Sequence, residues 1–208
     1  RLGCEHSMPL TGVRGSKMIT LQGGARLNEQ LGRSFVRRNK NIEYNVMNQA
    51  QLRVDDEWFT PRSAWESISD FIPRDATVWE PFRGNGSSTE FLTDLGFNVV
   101  SEDEDFFLAE PKGSIVVSNP PFSKSKQVLR RLVEVGMPFI LILPTQKLTT
   151  QHFRELYAST REHLKLIVPR KRINFVKPGL ARSKCTFDTF FYCWRVPTMA
   201  SSPQLNFL

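Results

Sequence analysis

Four residues, Asn119-Pro120-Pro121-Phe122, follow directly on the apolar run Ile115-Val116-Val117. A side-chain amide, two prolines that stiffen the backbone and an aromatic ring, delivered at the end of a buried strand, make a small rigid platform for a planar group that carries nitrogen. An aromatic amine is a poor nucleophile because its lone pair is delocalised into the ring. Two acceptors aimed at its hydrogens would favour a more pyramidal nitrogen with a freer lone pair. Asn119 offers its side-chain oxygen, and Pro120 a carbonyl held still by its own ring and by Pro121. The plainer alternative is a Pro-Pro turn capped by a surface Phe, and the rest of the chain must decide between the two.

Upstream, Ala76-Thr77-Val78-Trp79-Glu80 reads as a buried strand. It runs into Pro81-Phe82-Arg83-Gly84-Asn85-Gly86 and then a helix from Ser87 through Leu95. An acidic residue closing a strand, a glycine turn and a helix are a nucleotide-cofactor layout in a doubly wound α/β sheet. Gly84 and Gly86 let the backbone turn tightly and approach a ligand. The turn has no Gly-Lys-Ser/Thr and lacks the full dinucleotide fingerprint, so taken alone it is also compatible with a bare strand-to-helix connection. A second strand, 97–100, ends in Ser101-Glu102-Asp103-Glu104-Asp105-Phe106-Phe107. Acids about 20 positions after the glycine turn are placed for ribose hydroxyls; a solvated acidic loop is the other reading. Phe106 could stack on a base while Asp105 accepts from an exocyclic amine.

These residues need elements to hold them. Thr60 is expected to cap a helix with Pro61 at its first position; Ala64, Trp65, Ile68, Phe71 and Ile72 give it one apolar face, and Pro73 stops it. A third strand spans 114–118, a helix 123–135 with Gly136 as C-cap, a strand 139–143 and a helix 149–157. Strands at 164–168 and 186–194 complete the alternation, joined by the basic stretch Arg170-Lys171-Arg172-Ile173-Asn174-Phe175 and a Pro-Gly bend. The expected class is α/β, a doubly wound and mostly parallel sheet with an antiparallel last strand. Its parts are a basic N-terminal extension over 1–53 with a short helix from Leu27, a main domain over 54–197 with a basic loop at 170–185, and a frayed tail over 198–208.

The chain has 208 residues and a net charge of +7, unevenly spread. Residues 1–53 carry +6 and residues 160–195 carry +7, while 54–159 carry −6. Basic flanks around an acidic middle suit a protein that touches a polyanion at its rim and holds a cation in its cleft, or else form a solvated basic surface. Three cysteines without C-x-x-C spacing argue against a disulfide framework or a structural zinc, and an intracellular, reducing compartment is expected. No metal site and no membrane span is expected, and no secretory leader is visible.

Taken together, these motifs resemble the class I S-adenosylmethionine-dependent methyltransferases, and among them those acting on adenine N6. The resemblance covers about 140 residues, from Glu57 to Trp194, and rests on Trp58-Phe59-Thr60-Pro61, Glu80 to Gly86, Asp105-Phe106-Phe107, the tetrapeptide at 119–122 and Arg172-Ile173-Asn174-Phe175, in an order the family uses. It implies S-adenosyl-L-methionine as cofactor, with Thr60 and Pro61 against its methionine end and Glu80, Pro81, Gly84 and Gly86 beneath it. Glu102 or Asp103 would take the ribose, and Asp105 with Phe106 the adenine. Asn119 and the Pro120 carbonyl would accept from the target amine; Phe122 and Phe175 would be the two aromatic walls around a flipped base. Asp stands in place of Asn in many relatives and would work similarly.

Arg170, Lys171, Arg172, Lys177, Arg182 and Lys184 would hold the nucleic-acid backbone. DNA is favoured over RNA, with RNA adenine or guanine N2 as alternatives, and a silent nucleic-acid-binding subunit as another class. A protein partner or homodimer is compatible with this. The location would be the nucleus in a eukaryote and the cytoplasm in a bacterium or phage. Two departures stand out: the tract before Ile115 is short for the usual third strand and helix, and Arg83 inside the glycine turn is unusual.

Overall fold

The computed structural model describes residue 56, residues 58–177 and residues 187–208. The basic extension over 1–53 with its expected helix, and Arg182 and Lys184 of the basic loop, lie outside the described residues.

Seven strands form one sheet: β1 (Thr77–Trp79), β2 (Asn98–Val100), β3 (Ile115–Ser118), β4 (Phe139–Pro144), β5 (Leu164–Val168), β6 (Thr189–Trp194) and β7 (Leu205–Phe207). Their order across the sheet is β2-β1-β3-β4-β6-β5-β7. Only β6 runs against its neighbours, pairing antiparallel with both β4 and β5. The α-helices among the described residues are α1 (Arg62–Ile68), α2 (Ser87–Asp94), α3 (Ser125–Glu134) and α4 (Gln151–Thr160).

The strands are apolar on both faces because both faces are covered. Val78, Ile115, Val117, Ile140, Ile142, Phe191 and Cys193 pack with Ala64, Trp65 and Ile68 of α1 and Leu92 of α2. Their alternates Trp79, Val116, Phe139, Leu141, Leu143, Tyr192 and Trp194 pack with Val128, Leu129 and Leu132 of α3 and Phe153 of α4. Two hydrophobic layers with a sheet between them are a doubly wound α/β sandwich.

Two expectations change. First, α1 starts at Arg62 with Pro61 in the capping place, and no side chain caps it. Thr60 is instead held in an extended run, because Phe59 exchanges backbone hydrogen bonds with Val176 at 2.8 and 2.9 Å. Second, the expected frayed tail contains β7, which takes the open edge of β5 in parallel pairing, so the antiparallel strand is not the last. As the short tract before Ile115 suggests, no strand or helix occupies 101–114, and the chain returns from β2 directly to β3.

The order across the sheet reverses at β1. The chain steps from β1 to β2 on one side, then crosses back to β3 on the other. A crevice opens beyond the carboxyl ends of strands at such a point. Glu80 follows β1 and Asn119 follows β3, so the fold delivers both to that crevice.

Candidate functional site

A cavity of about 680 Å³ occupies the crevice, the size of a site for a nucleoside-sized ligand. The glycine turn, the acidic segment 102–105, Phe106, Phe107, the run Trp58-Phe59-Thr60, and Asn119, Pro121 and Lys124 line it. Gly84 and Gly86 take left-handed backbone, φ +53° and +85°, which lets the chain double back between β1 and α2. A Cβ on Gly84 would stand 3.4 Å from the Phe59 ring, so the turn and that ring close against each other. Pro81 lines the cavity beside them, whereas Pro61 lies just outside its wall.

Glu80 lies under the site rather than in its wall. It is fully buried, and its Oε1 accepts from the Phe82 N–H at 2.9 Å and from the Ser118 hydroxyl. Oε2 has no partner. Burial pushes its pKa up to about 7, against the pull of the two hydrogen bonds. The carboxyl thus fixes the start of the glycine turn and ties it to the end of β3.

Asn119 and Thr60 hold the two orphaned acceptors of the cavity wall. Asn119 Nδ2 donates to the Trp58 carbonyl at 2.8 Å, while its Oδ1 is buried without a partner among the described residues. Thr60 is 2% exposed and its Oγ1 is likewise partnerless. Buried polar atoms are nearly always hydrogen-bonded, so two such atoms on one cavity point to a bound polar ligand. Next to Asn119, Pro120 is buried and Pro121 faces the cavity.

The acids differ in their freedom. Glu102 and Glu104 both engage Lys112, Glu104 at 3.0 Å, and the Lys112 ammonium holds the Glu102 carboxyl below its usual range. Asp105 Oδ1 accepts from the Phe107 N–H at 2.9 Å and so closes its own turn. Asp103 has no ion pair among the described residues and borders the cavity. Phe106 is buried between Trp79, Phe82 and Phe107, at 5.6, 4.8 and 5.2 Å between ring centroids.

Phe122 is half-buried, and the edges of Phe175 and Phe187 meet its ring at 6.2 and 5.2 Å. Phe175 was expected as an aromatic wall, but it is buried in the core and, unlike Phe106, does not line the cavity. Its ring backs Phe122, because the Phe59–Val176 bridge draws the preceding residues inward. Arg172 is also not free, pairing with Asp188 at 3.0 Å. Arg170 and Lys171 are exposed, and Lys177 lies over the Trp58 ring at 5.2 Å.

Sequence reasoning missed several supports. Lys147 donates to the Phe122 carbonyl at 2.9 Å, and burial lowers its pKa although the Asp56 carboxylate opposes this. Asp56 accepts from the Ser123 N–H at 3.3 Å. The Trp58 carbonyl, the Ser118 hydroxyl and the Phe187 ring were also missed. Ser118 and Lys147 each follow an apolar run, which is the signal that could have flagged them; a main-chain carbonyl gives none.

Among the described residues there is no group of three metal-ligating side chains, and no helix is long and apolar enough to cross a membrane. No family model and no curated protein matches the chain. Among solved structures it is similar to the 23S rRNA methyltransferase ErmE, with 16% identity, 66% of this chain and 70% of that one covered, and a TM-score of 0.47. A dimethyladenosine transferase from Plasmodium falciparum gives 13%, 66%, 62% and 0.43. A methyltransferase from Pyrococcus furiosus gives 12%, 64%, 81% and 0.34. Likenesses this distant carry no argument about the site, whose chemistry rests on the residues above.

Proposed function

We propose that this chain transfers a methyl group from S-adenosyl-L-methionine to the N6 amine of an adenine in DNA, with the base flipped out or already unpaired. The observation that carries the reading is Asn119 Oδ1, an acceptor buried on the cavity wall with no donor. Leaving such a group unpaired costs about 1–3 kcal/mol, which an N–H of the target amine would recover. The cofactor supplies an electrophilic methyl group on a sulfonium. Thr60 Oγ1 and the glycine turn suit its amino-acid end, Asp103 its ribose and Phe106 its base. Asp103 is preferred to Glu102 because Lys112 already engages Glu102.

Asn119 Oδ1 would hold the amine, with the carbonyl of the adjacent Pro120 as the second acceptor. With the cofactor bound, the nitrogen lone pair would take the methyl group, the C–S bonding pair would stay with sulfur, and the surplus proton would leave the product nitrogen for solvent. No strong base is required of the protein. Holding the two reacting centres in line supplies much of the acceleration.

The test is labelled methyl transfer to matched adenine-containing DNA and RNA oligonucleotides, with the product identified by nuclease digestion and mass spectrometry. N6-methyladenine in DNA is expected; the label in RNA, or on guanine N2, would replace that substrate. Asn119→Ala should lower transfer at least about 100-fold, and unchanged transfer would overturn the mechanism. Binding of nucleic acid without transfer, and without heat on adding the cofactor in calorimetry, would mark a silent subunit instead.

A further inference from the structure

Trp58 stands where three features of the site meet. Its carbonyl accepts from Asn119 Nδ2 at 2.8 Å. Its ring meets Phe175 and Phe187 edge-on, at 6.5 and 5.5 Å between centroids, and the Lys177 ammonium lies over it at 5.2 Å. The next residue, Phe59, exchanges both backbone hydrogen bonds with Val176. Ring and bridge together fix where the carbonyl stands.

An asparagine side chain can turn its amide over, exchanging the oxygen for the NH2 group. Only the NH2 group can donate to a carbonyl. The flipped amide would set two oxygens against each other at Trp58 and would present N–H donors to an amine that is itself a donor. The Trp58 carbonyl therefore selects the one orientation in which Oδ1 is the acceptor.

We propose that Trp58 is a positioning residue that locks the Asn119 amide as an acceptor, and that the Phe59–Val176 bridge and the contacts to Phe175 and Lys177 tie this lock to the segment 173–177. The inference rests on the methyl-transfer reading only for its kinetic arm. It extends the role of the basic segment from holding a polyanion to holding the catalytic amide.

The first measurement is independent of activity: hydrogen exchange of the Asn119 side-chain amide in protein labelled with ¹⁵N-asparagine, its signal assigned by its loss in Asn119→Ala. Exchange should quicken at least about 10-fold in Trp58→Ala, since the main-chain carbonyl that accepts from the amide is then no longer held in place by the ring. It should also quicken in Val176→Pro, which removes the donor to the Phe59 carbonyl and decides the matter if Trp58→Ala does not fold. The second measurement is kinetic. Trp58→Ala should lower kcat about 10- to 100-fold with KM for cofactor and oligonucleotide near wild type, while Trp58→Phe, which keeps a ring, recovers most of it.

In an Asn119→Ala background the Trp58 change should add little, because both act through one amide. Unchanged amide exchange in both Trp58→Ala and Val176→Pro, or a full additional loss in the Asn119→Ala background, would overturn the proposal. A wild-type chain that methylates nothing would sink the methyl-transfer reading and leave the exchange experiment to decide this one.

Discussion

Replacing Glu80 by glutamine isolates the energetics of the buried carboxyl beneath the site. Its Oε1 has two donors, the Phe82 N–H and the Ser118 hydroxyl, and its Oε2 has none. Burial dominates, so the folded carboxyl keeps its proton up to about 7, against 4.5 for a carboxyl in the unfolded chain. Between these pH values the folded state binds more protons than the unfolded chain, and stability falls as pH rises. At about 1.4 kcal/mol per pH unit, the carboxyl contributes a loss of about 3 kcal/mol that is complete above its folded pKa.

Glutamine keeps the acceptor for both donors and cannot ionise. Its amide nitrogen stands where the protonated oxygen stood and shares its lack of a partner. The two proteins should therefore be similar in stability near pH 4.5 and diverge by up to about 3 kcal/mol in favour of Glu80→Gln well above pH 7. Urea unfolding followed by tryptophan fluorescence across that interval measures the difference. A difference that stays flat, or one that grows against the variant as pH rises, would refute the reasoning.

Gly113→Ala should destabilise by about 2–4 kcal/mol, since φ is +71° and the new Cβ would lie 2.3 Å from the Thr77 carbonyl oxygen of β1; thermal unfolding checks this. The sequence suggests that Asp at 119 would work similarly, but the Trp58 carbonyl opposes it here: Asn119→Asp should lower transfer at least about 10-fold at neutral pH, because a carboxylate would face that carbonyl, and activity should recover as pH falls and the acid regains a proton; an active, pH-independent variant would refute it. Removing Arg170 or Lys171 should each flatten the slope of log binding constant against log salt by about 0.7–0.9. Arg172→Ala should instead cost no more than about 1 kcal/mol of stability, since its charge is spent on Asp188 at the surface.

The parts of this fold that the sequence makes legible are those whose signal is local. In β4 every residue is apolar because alternate side chains enter different layers, and the run Phe139–Pro144 announces that by itself. In α3 the positions Val128, Leu129 and Leu132 fall on one helical face. Edge strand β7 carries no such signal: Leu205 and Phe207 are 45% and 73% exposed, and its pairing is set by the open edge of β5. At Thr60 capping preference gave way to the Phe59–Val176 bridge, which holds the chain extended for one residue more.

At the site, residue type announced which groups had the right chemistry but not which way each would face. Asn119 and Thr60 border the cavity with open acceptors, whereas Phe175, equally suited by type, is buried in the core. Glu102 was as good a candidate for a diol as Asp103 until Lys112, ten residues on, engaged it. Least legible was the Trp58 carbonyl, since every residue carries one and only folding decides which of them meets Asn119.

The Ser118–Glu80 contact also limits how the sequence can change. It joins the last residue of β3 to the residue after β1, positions 38 apart in the chain and both sealed from solvent. A lone change at position 80 to a residue that, unlike glutamine, lacks an acceptor strands a hydroxyl, and a lone change at 118 to a residue without a donor deprives a buried carboxyl of one of its two. A library randomised at position 80 alone would return glutamate and glutamine, and one at 118 alone only residues with a donor, whereas one randomised at both would return matched donor–acceptor pairs of similar total volume. Because Asn119 follows Ser118 directly, the glycine turn and the Pro-Pro turn would drift as one heritable unit, each substitution conditional on the other.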